Sequence, residues 1–493
     1  MISKGLSIFS EKTSVSQRYL FLFFSLVFSV AWFIAILEDQ WLWLLLIPFS
    51  LIIYFSLLDF KVIFFLLLFF IPLSTEITFD NGFGTDLPTE PLIIGLMGIG
   101  IFHFLVHIKK MGSAFLTHPI TIWLLIHVFW TFLTSLTSYS VFISIKFLLA
   151  KIWYIATFYF LAGYLLRSEK RIKFMVWVVL IPMIFSVIVI WYRHSFYRFS
   201  FGDIHRVLHP FQRNHVNYAA LLALLFPWIF LIRYHYPKGS IKRKMLTILL
   251  PLWLVAIYLS YTRAAYGAIL IALTAGLLVR KKMLMPVVYV SVFVVISGVC
   301  WLSNNNKYLD FAPNYDRTIS HTEFDNLLEA TVKLEDISTM ERLYRWVAGA
   351  HMSVKEPWLG FGPGSFVHHY KAFTVKGFRT YVSNNEEKSG IHSYFLMILV
   401  EQGLPGLFIF GLLMIIVLQT GQRIASGAGI QFAPWISMAA LTSLIVILSF
   451  LTINDLVETD KIGSFFFIFM ALLVNVDISE RENNQKSKIK NQG

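Results

Sequence analysis

A chain of 493 residues with 57% hydrophobic side chains, 17% aromatic ones, only 14% charged ones and a mean hydropathy of +0.68 falls outside the soluble globular class. It is an integral membrane protein. The single cysteine, Cys300, excludes an intramolecular disulfide and argues against a thiolate metal site, and the formal charge of +13 follows a topogenic pattern rather than a nucleic-acid footprint.

Lys4, Lys12 and Arg18 precede an apolar run that lacks a small-residue cleavage site and leads into further spans. It reads as a first anchor helix, not as a secretory signal. Apolar runs able, or nearly able, to cross a bilayer lie at 20–37, 41–58, 62–74, 91–107, 119–137, 146–166, 174–192, 215–233, 247–261, 264–279, 283–302, 391–418, 433–453 and 462–476. The expected fold is an all-α, polytopic membrane protein of about twelve to fourteen spans with one large, partly helical loop. The run from Val62 is short, and the pair flanking Thr262 reads either as two helices or as one broken one. The chain then divides into N-terminal spans (1–302), a polar loop (303–390), C-terminal spans (391–476) and a tail (477–493).

Lys and Arg set the orientation. With the N-terminus cytoplasmic, the inside connections hold Lys61, Lys109-Lys110, Arg167 to Lys173, Lys238 to Lys244, Arg280 to Lys282, Arg423 and the Lys-bearing tail. The opposite set includes Thr75 to Glu90, with no Lys or Arg, and the acidic stretch Asn454 to Asp460. Both termini are then cytoplasmic, and the polar loop lies outside.

One external segment departs from this rule. Between Trp191 and Asn217 stand Arg193, Arg198, Arg206 and Arg213 with four histidines against a single acid, Asp203. Such charge fits either a bound anion or a solvated loop meeting anionic headgroups. Arg263, in Tyr261-Thr262-Arg263-Ala264-Ala265-Tyr266-Gly267, falls at or just inside the outer interface, where a guanidinium either snorkels or finds an anionic partner.

In the loop, Arg342 and Arg345 of Glu341-Arg342-Leu343-Tyr344-Arg345-Trp346 share one helical face. Glu341 either orients a loop arginine or, in the preferred reading, is a solvated carboxylate. The block Gly360-Phe361-Gly362-Pro363-Gly364 lacks the Gly-Lys-Ser/Thr of a phosphate loop and reads as a tight turn that lets backbone approach another segment. His392 stands where the loop meets the next span, as a cap, an interfacial hydrogen bonder or a catalyst. Glu401-Gln402-Gly403-Leu404-Pro405-Gly406 follows about three helical turns on.

Taken in order, these pieces resemble the O-antigen ligase and polymerase superfamily, the Wzy/WaaL-like, Wzy_C-containing glycosyltransferases of bacterial inner membranes. The marks are the Thr262-Arg263 turn, Arg345-Trp346 through Pro357 to Gly360-Phe361-Gly362-Pro363-Gly364, and His392-Ser393 followed by Gly403-Leu404-Pro405-Gly406. Arg206, Phe211 and Asn214-His215-Val216-Asn217 loosely match the upstream family pattern, with His209 where glycine is common. The resemblance implies a GT-C-like fold and a periplasmic active site that moves a glycan from undecaprenyl diphosphate to an acceptor hydroxyl. The acceptor is lipid A-core for a ligase, a glycan for a polymerase or a protein for an oligosaccharyltransferase. It further implies His392 as base, Arg263 as principal diphosphate ligand, and Arg206, Arg213, Arg342 and Arg345 as secondary ones. Gly360, Gly362, Pro363, Gly364, Gly403 and Gly406 are its structural positions.

No nucleotide, metal or other cofactor is expected. The expected partners are the lipid-linked donor, the acceptor and membrane lipids, with no nucleic acid. His368-His369 has no companion cysteine or acid at ligand spacing, and His127, inside an apolar run, is either an interhelical hydrogen bonder, the preferred reading, or part of a polar path. The rival reading, a lipid-linked oligosaccharide flippase or other transporter, predicts internal repeats and ionisable residues through the midplane. No repeat is evident, and the candidate residues cluster on one side.

Overall fold

In the computed structural model the described residues are 59–78, 84–111, 113–312, 337–380, 383–385, 388–427 and 433–492, together with Phe23, Leu26 and Val30. The expected spans at 20–37 and 41–58 lie outside this set apart from those three residues, as does 313–336 of the loop. The fold is all-α and polytopic. A helix over 59–70 runs into a hairpin of β1 (Thr75–Thr78) and β2 (Gly84–Leu87), paired antiparallel with Thr75 opposite Leu87.

The long helices are α1 (Thr89–Met111), α2 (Pro119–Leu136), α3 (Val141–Leu165), α4 (Glu169–Phe196), α5 (His215–Ile232), α6 (Ile241–Tyr258), α7 (Arg263–Arg280), α8 (Leu284–Ser303), α9 (Ile337–Lys355), α10 (Tyr394–Ala425), α11 (Ala433–Leu451) and α12 (Asp460–Gln492). Among the described residues nine helices are long and apolar enough to cross a membrane, which makes this a multi-pass membrane protein. α6 is outside the nine, because Lys242, Arg243 and Lys244 occupy its first turn. The run pair around Thr262 is two helices, α6 and α7, separated by a turn in which Tyr261 has φ +51°.

Burial ranks the helices. The apolar windows of α5, α11 and α12 are 78%, 83% and 89% buried and form the centre, whereas that of α8 is 11% buried and lies outermost. α11 packs against α5, α7, α10 and α12, and α10 packs along α2. Side chains bond across this apolar centre where backbone carbonyls lie open: Ser443 Oγ donates to Leu224 O at 2.7 Å, and Asn475 Nδ2 to Gly163 O at 2.8 Å.

Candidate functional site

His392 occupies the turn that feeds α10. Ser393 caps the helix in extended backbone, and Tyr394 N donates to Asn454 O at 3.2 Å, tying the turn to the connection between α11 and α12. His392 has φ +55°, a left-handed conformation that costs a non-glycine residue about 1–3 kcal/mol. Trp346 of α9 donates Nε1–H to the His392 carbonyl at 3.3 Å and helps hold it there. Burial first, then the charges of Arg345 and Arg342, push the imidazole pKa down to about 3. His392 is therefore neutral near pH 7.

Arginines from three parts of the chain act on groups at this end of the bundle. Arg263 opens α7, and Arg263 and Arg342 both act electrostatically on His215, the first residue of α5. Thr262 Oγ1 donates to the His215 carbonyl at 3.2 Å, which ties the α6–α7 turn to the start of α5. His215 Nδ1 lies 3.1 Å from His205 Nε2. Asp455, between α11 and α12, is one of the acids nearby. Burial and Glu458 raise its pKa, while Arg345 and Arg213 oppose the rise. Among the described residues no group of three or more His, Cys, Asp or Glu is arranged to hold a metal ion.

The arginines differ in their commitments. Arg345 is buried: NH1 donates to Gly390 O at 3.2 Å, NH2 to Asn385 Oδ1 at 3.4 Å, and the group lies 3.5 Å from Glu341 Oε2 as an ion pair without hydrogen-bond alignment. Its contribution is a fixed charge. Arg206 is largely exposed on the short helix Ile204–Leu208, 3.7 Å from Asp203 and over the ring of Tyr197. Arg213, also exposed, lies 3.5 Å from Glu76 of β1.

The glycine block joins the loop to α10. Phe361 N donates to Val400 O at 3.0 Å, Gly362 N to Glu401 O at 2.9 Å and Leu404 N to Pro357 O at 2.8 Å. The Glu401 carboxylate receives Gly364 N at 2.8 Å and Phe366 N at 3.1 Å. Gly403 interrupts α10 with φ +69° and ψ −175°, and a Cβ there would overlap the Trp358 carbonyl. At Gly360, φ +66°, a Cβ would come within 2.5 Å of the Glu401 carbonyl carbon. Pro363 O accepts from Ser144 Oγ of α3 at 2.7 Å. Gly406 leaves room for the Trp130 indole of α2, which donates to Gln402 O at 2.9 Å.

Two sequence expectations change. Glu341 is buried rather than solvated: Thr380 Oγ1 and Ser383 Oγ both donate to it, and Arg345 lies beside it. Thr380 and Ser383, brought against α9, enclose the carboxylate. His127 does not bond between helices through Nε2, which has no partner among the described residues; its ring packs on Phe410 at a centroid distance of 5.6 Å. His369 also belongs to a ring cluster, with Tyr139 and Phe361.

Sequence reasoning missed Lys151. Buried in α3, its ammonium donates to Tyr394 Oη at 3.1 Å and lies 3.1 Å from Glu458 Oε1 as an ion pair without hydrogen-bond alignment. Lys151 thereby clips the 456–458 turn to the helix start just after His392. A lysine five residues inside the apolar run 146–166 was the available signal, since such a charge needs a partner.

Fold and site together define a multi-pass α-helical membrane protein with a neutral histidine among arginines at one end of its bundle. Residues 246–411 match the family model Wzy_C, described as O-antigen ligase. The match supports a place in the O-antigen ligase/polymerase superfamily, whose members are glycosyltransferase-like ligases and polymerases. No curated protein matches the chain.

Proposed function

We propose that this protein is an inverting glycosyltransferase of the bacterial inner membrane that moves a glycan from undecaprenyl diphosphate to an acceptor hydroxyl at the periplasmic face. The observation that carries the reading is that Arg345 and Arg342 act on neutral His392 while Arg342 and Arg263 both act on His215. A guanidinium can hold two phosphate oxygens and offset charge growing on a departing diphosphate. Arg263 is the principal ligand and Arg342 its neighbour, while the buried Arg345 supplies field.

His392 takes the acceptor hydroxyl proton as the acceptor oxygen bonds the anomeric carbon. The bond from that carbon to phosphate oxygen breaks, and its electron pair leaves on the lipid diphosphate. Attack opposite the leaving group inverts the centre. In the absence of donor, burial first and then the charges of Arg345 and Arg342 hold His392 at about 3, too low for an effective base. A bound diphosphate counters the arginine part of that depression and raises the imidazole pKa, so donor binding moves His392 toward the base it must be.

Arginine performs the charge neutralisation that a divalent cation supplies elsewhere, and the chemistry needs no metal. The deciding experiment is donor-dependent transfer by purified, EDTA-treated protein with lipid A-core, a second lipid-linked repeat unit and a pilin-like protein offered separately. Product from one acceptor supports the reading and distinguishes ligase, polymerase and protein transferase. Transfer restored only by Mg²⁺ or Mn²⁺ overturns the metal-free account.

A further inference from the structure

Phe226 and Pro227 of α5, Ala272, Gly276 and Arg280 of α7, and Thr442 of α11 line a cavity of about 260 Å³. Its walls are apolar and include no Asp or Glu. Gly276 opens the space, since a Cβ there would meet only Thr442 Cγ2 at 3.9 Å.

All three helices place this cavity at the end of the bundle away from His392. α5 and α7 begin at His215 and Arg263 and reach the cavity only from Phe226 and Ala272 onward; α11 lines it early and then runs toward Asp455. Arg280, exposed at the end of α7, continues into Lys281 and Lys282. Arg233 ends α5 with its guanidinium 5.2 Å over the ring of Phe230, another wall residue.

We propose that this groove binds a phospholipid with an anionic headgroup, drawn from the leaflet on the side away from His392. One acyl chain lies between α5, α7 and α11, and the headgroup meets Arg280. Hydrocarbon already bathes the helices, so moving a chain into the groove gains little by itself. Selection comes from Arg280 and the absence of a lining carboxylate, with Arg233 adding positive charge beside the wall residue Phe230, as in basic pockets between membrane helices. The occupied groove braces three helices whose opposite ends carry His215, Arg263 and Asp455. The binding claim is independent of the transfer reaction.

Native mass spectrometry of the full-length purified protein tests it, with phosphatidylglycerol and phosphatidylcholine of identical chains titrated separately. The first phosphatidylglycerol should bind about tenfold more tightly than phosphatidylcholine. Arg280→Glu should abolish the preference, Gly276→Leu should lower occupancy by filling the groove, and Lys244→Glu, on exposed α6, should change neither. Equal retention of the two lipids by the unaltered protein overturns the proposal. So does full preference in Arg280→Glu, an exposed substitution that leaves the buried core intact.

Discussion

Gly403→Ala is the sharpest test of how the loop is held to the membrane helices. At φ +69° and ψ −175° the backbone lies in a region essentially confined to glycine, so alanine incurs about 1–3 kcal/mol of strain. Its Cβ would also overlap the Trp358 carbonyl and approach Pro357 O at 2.8 Å, and backbone cannot swing aside as a side chain does. Relief requires 357–358 to withdraw, which gives up the Leu404 N to Pro357 O bond, worth about 1 kcal/mol. The expected loss is about 3 kcal/mol, roughly a hundredfold in the folded-to-unfolded ratio. Gly411→Ala is the matched control: it lies in the same helix with nothing within 4 Å of a new Cβ, and the exchange should stabilise by up to about 1 kcal/mol. Reversible unfolding of both variants in mixed micelles gives the comparison. A Gly403→Ala protein within about 0.5 kcal/mol of the unaltered chain would refute the docking argument.

Arg263→Ala should weaken donor binding, and Arg263→Lys, which keeps charge without the bidentate fork, should recover only part of the activity; equal rates for Lys and Arg would reduce the residue to electrostatic attraction or snorkelling. Lys151→Met leaves Glu458 without its cation and should lower kcat with little change in donor KM, because the His392 turn loses its clip. Adding Glu458→Gln should restore stability more than turnover, and full recovery of turnover would make Lys151 a packing residue only.

Most of the helices were legible because the bilayer imposes one long apolar run on each span, and those from 119 onward lie close to where hydropathy places them. The ends were less so: α10 continues to Ala425, well past 418, and α6 starts within the lysine cluster. Arginine types and their order pointed to an anion site, yet which arginine is spent on folding depends on tertiary contacts. Arg345 turns inward only because Glu341, Asn385 and the Gly390 carbonyl surround it. Glu341 looked solvated for the same reason, since the hydroxyls that satisfy it come from Thr380 and Ser383. The Lys151–Glu458 pair was hidden because hydropathy averages the lysines of this span away within its window, while the partner lies near the far end of the chain.

The central claim is that His392 removes the acceptor proton, and one measurement addresses it directly: single-turnover glycan transfer by purified His392→Ala, with lipid-diphosphate binding measured on the same preparation. Loss of general-base catalysis should slow transfer by about 10²–10⁴-fold while binding and membrane insertion persist. Near-native turnover in His392→Ala would contradict the account.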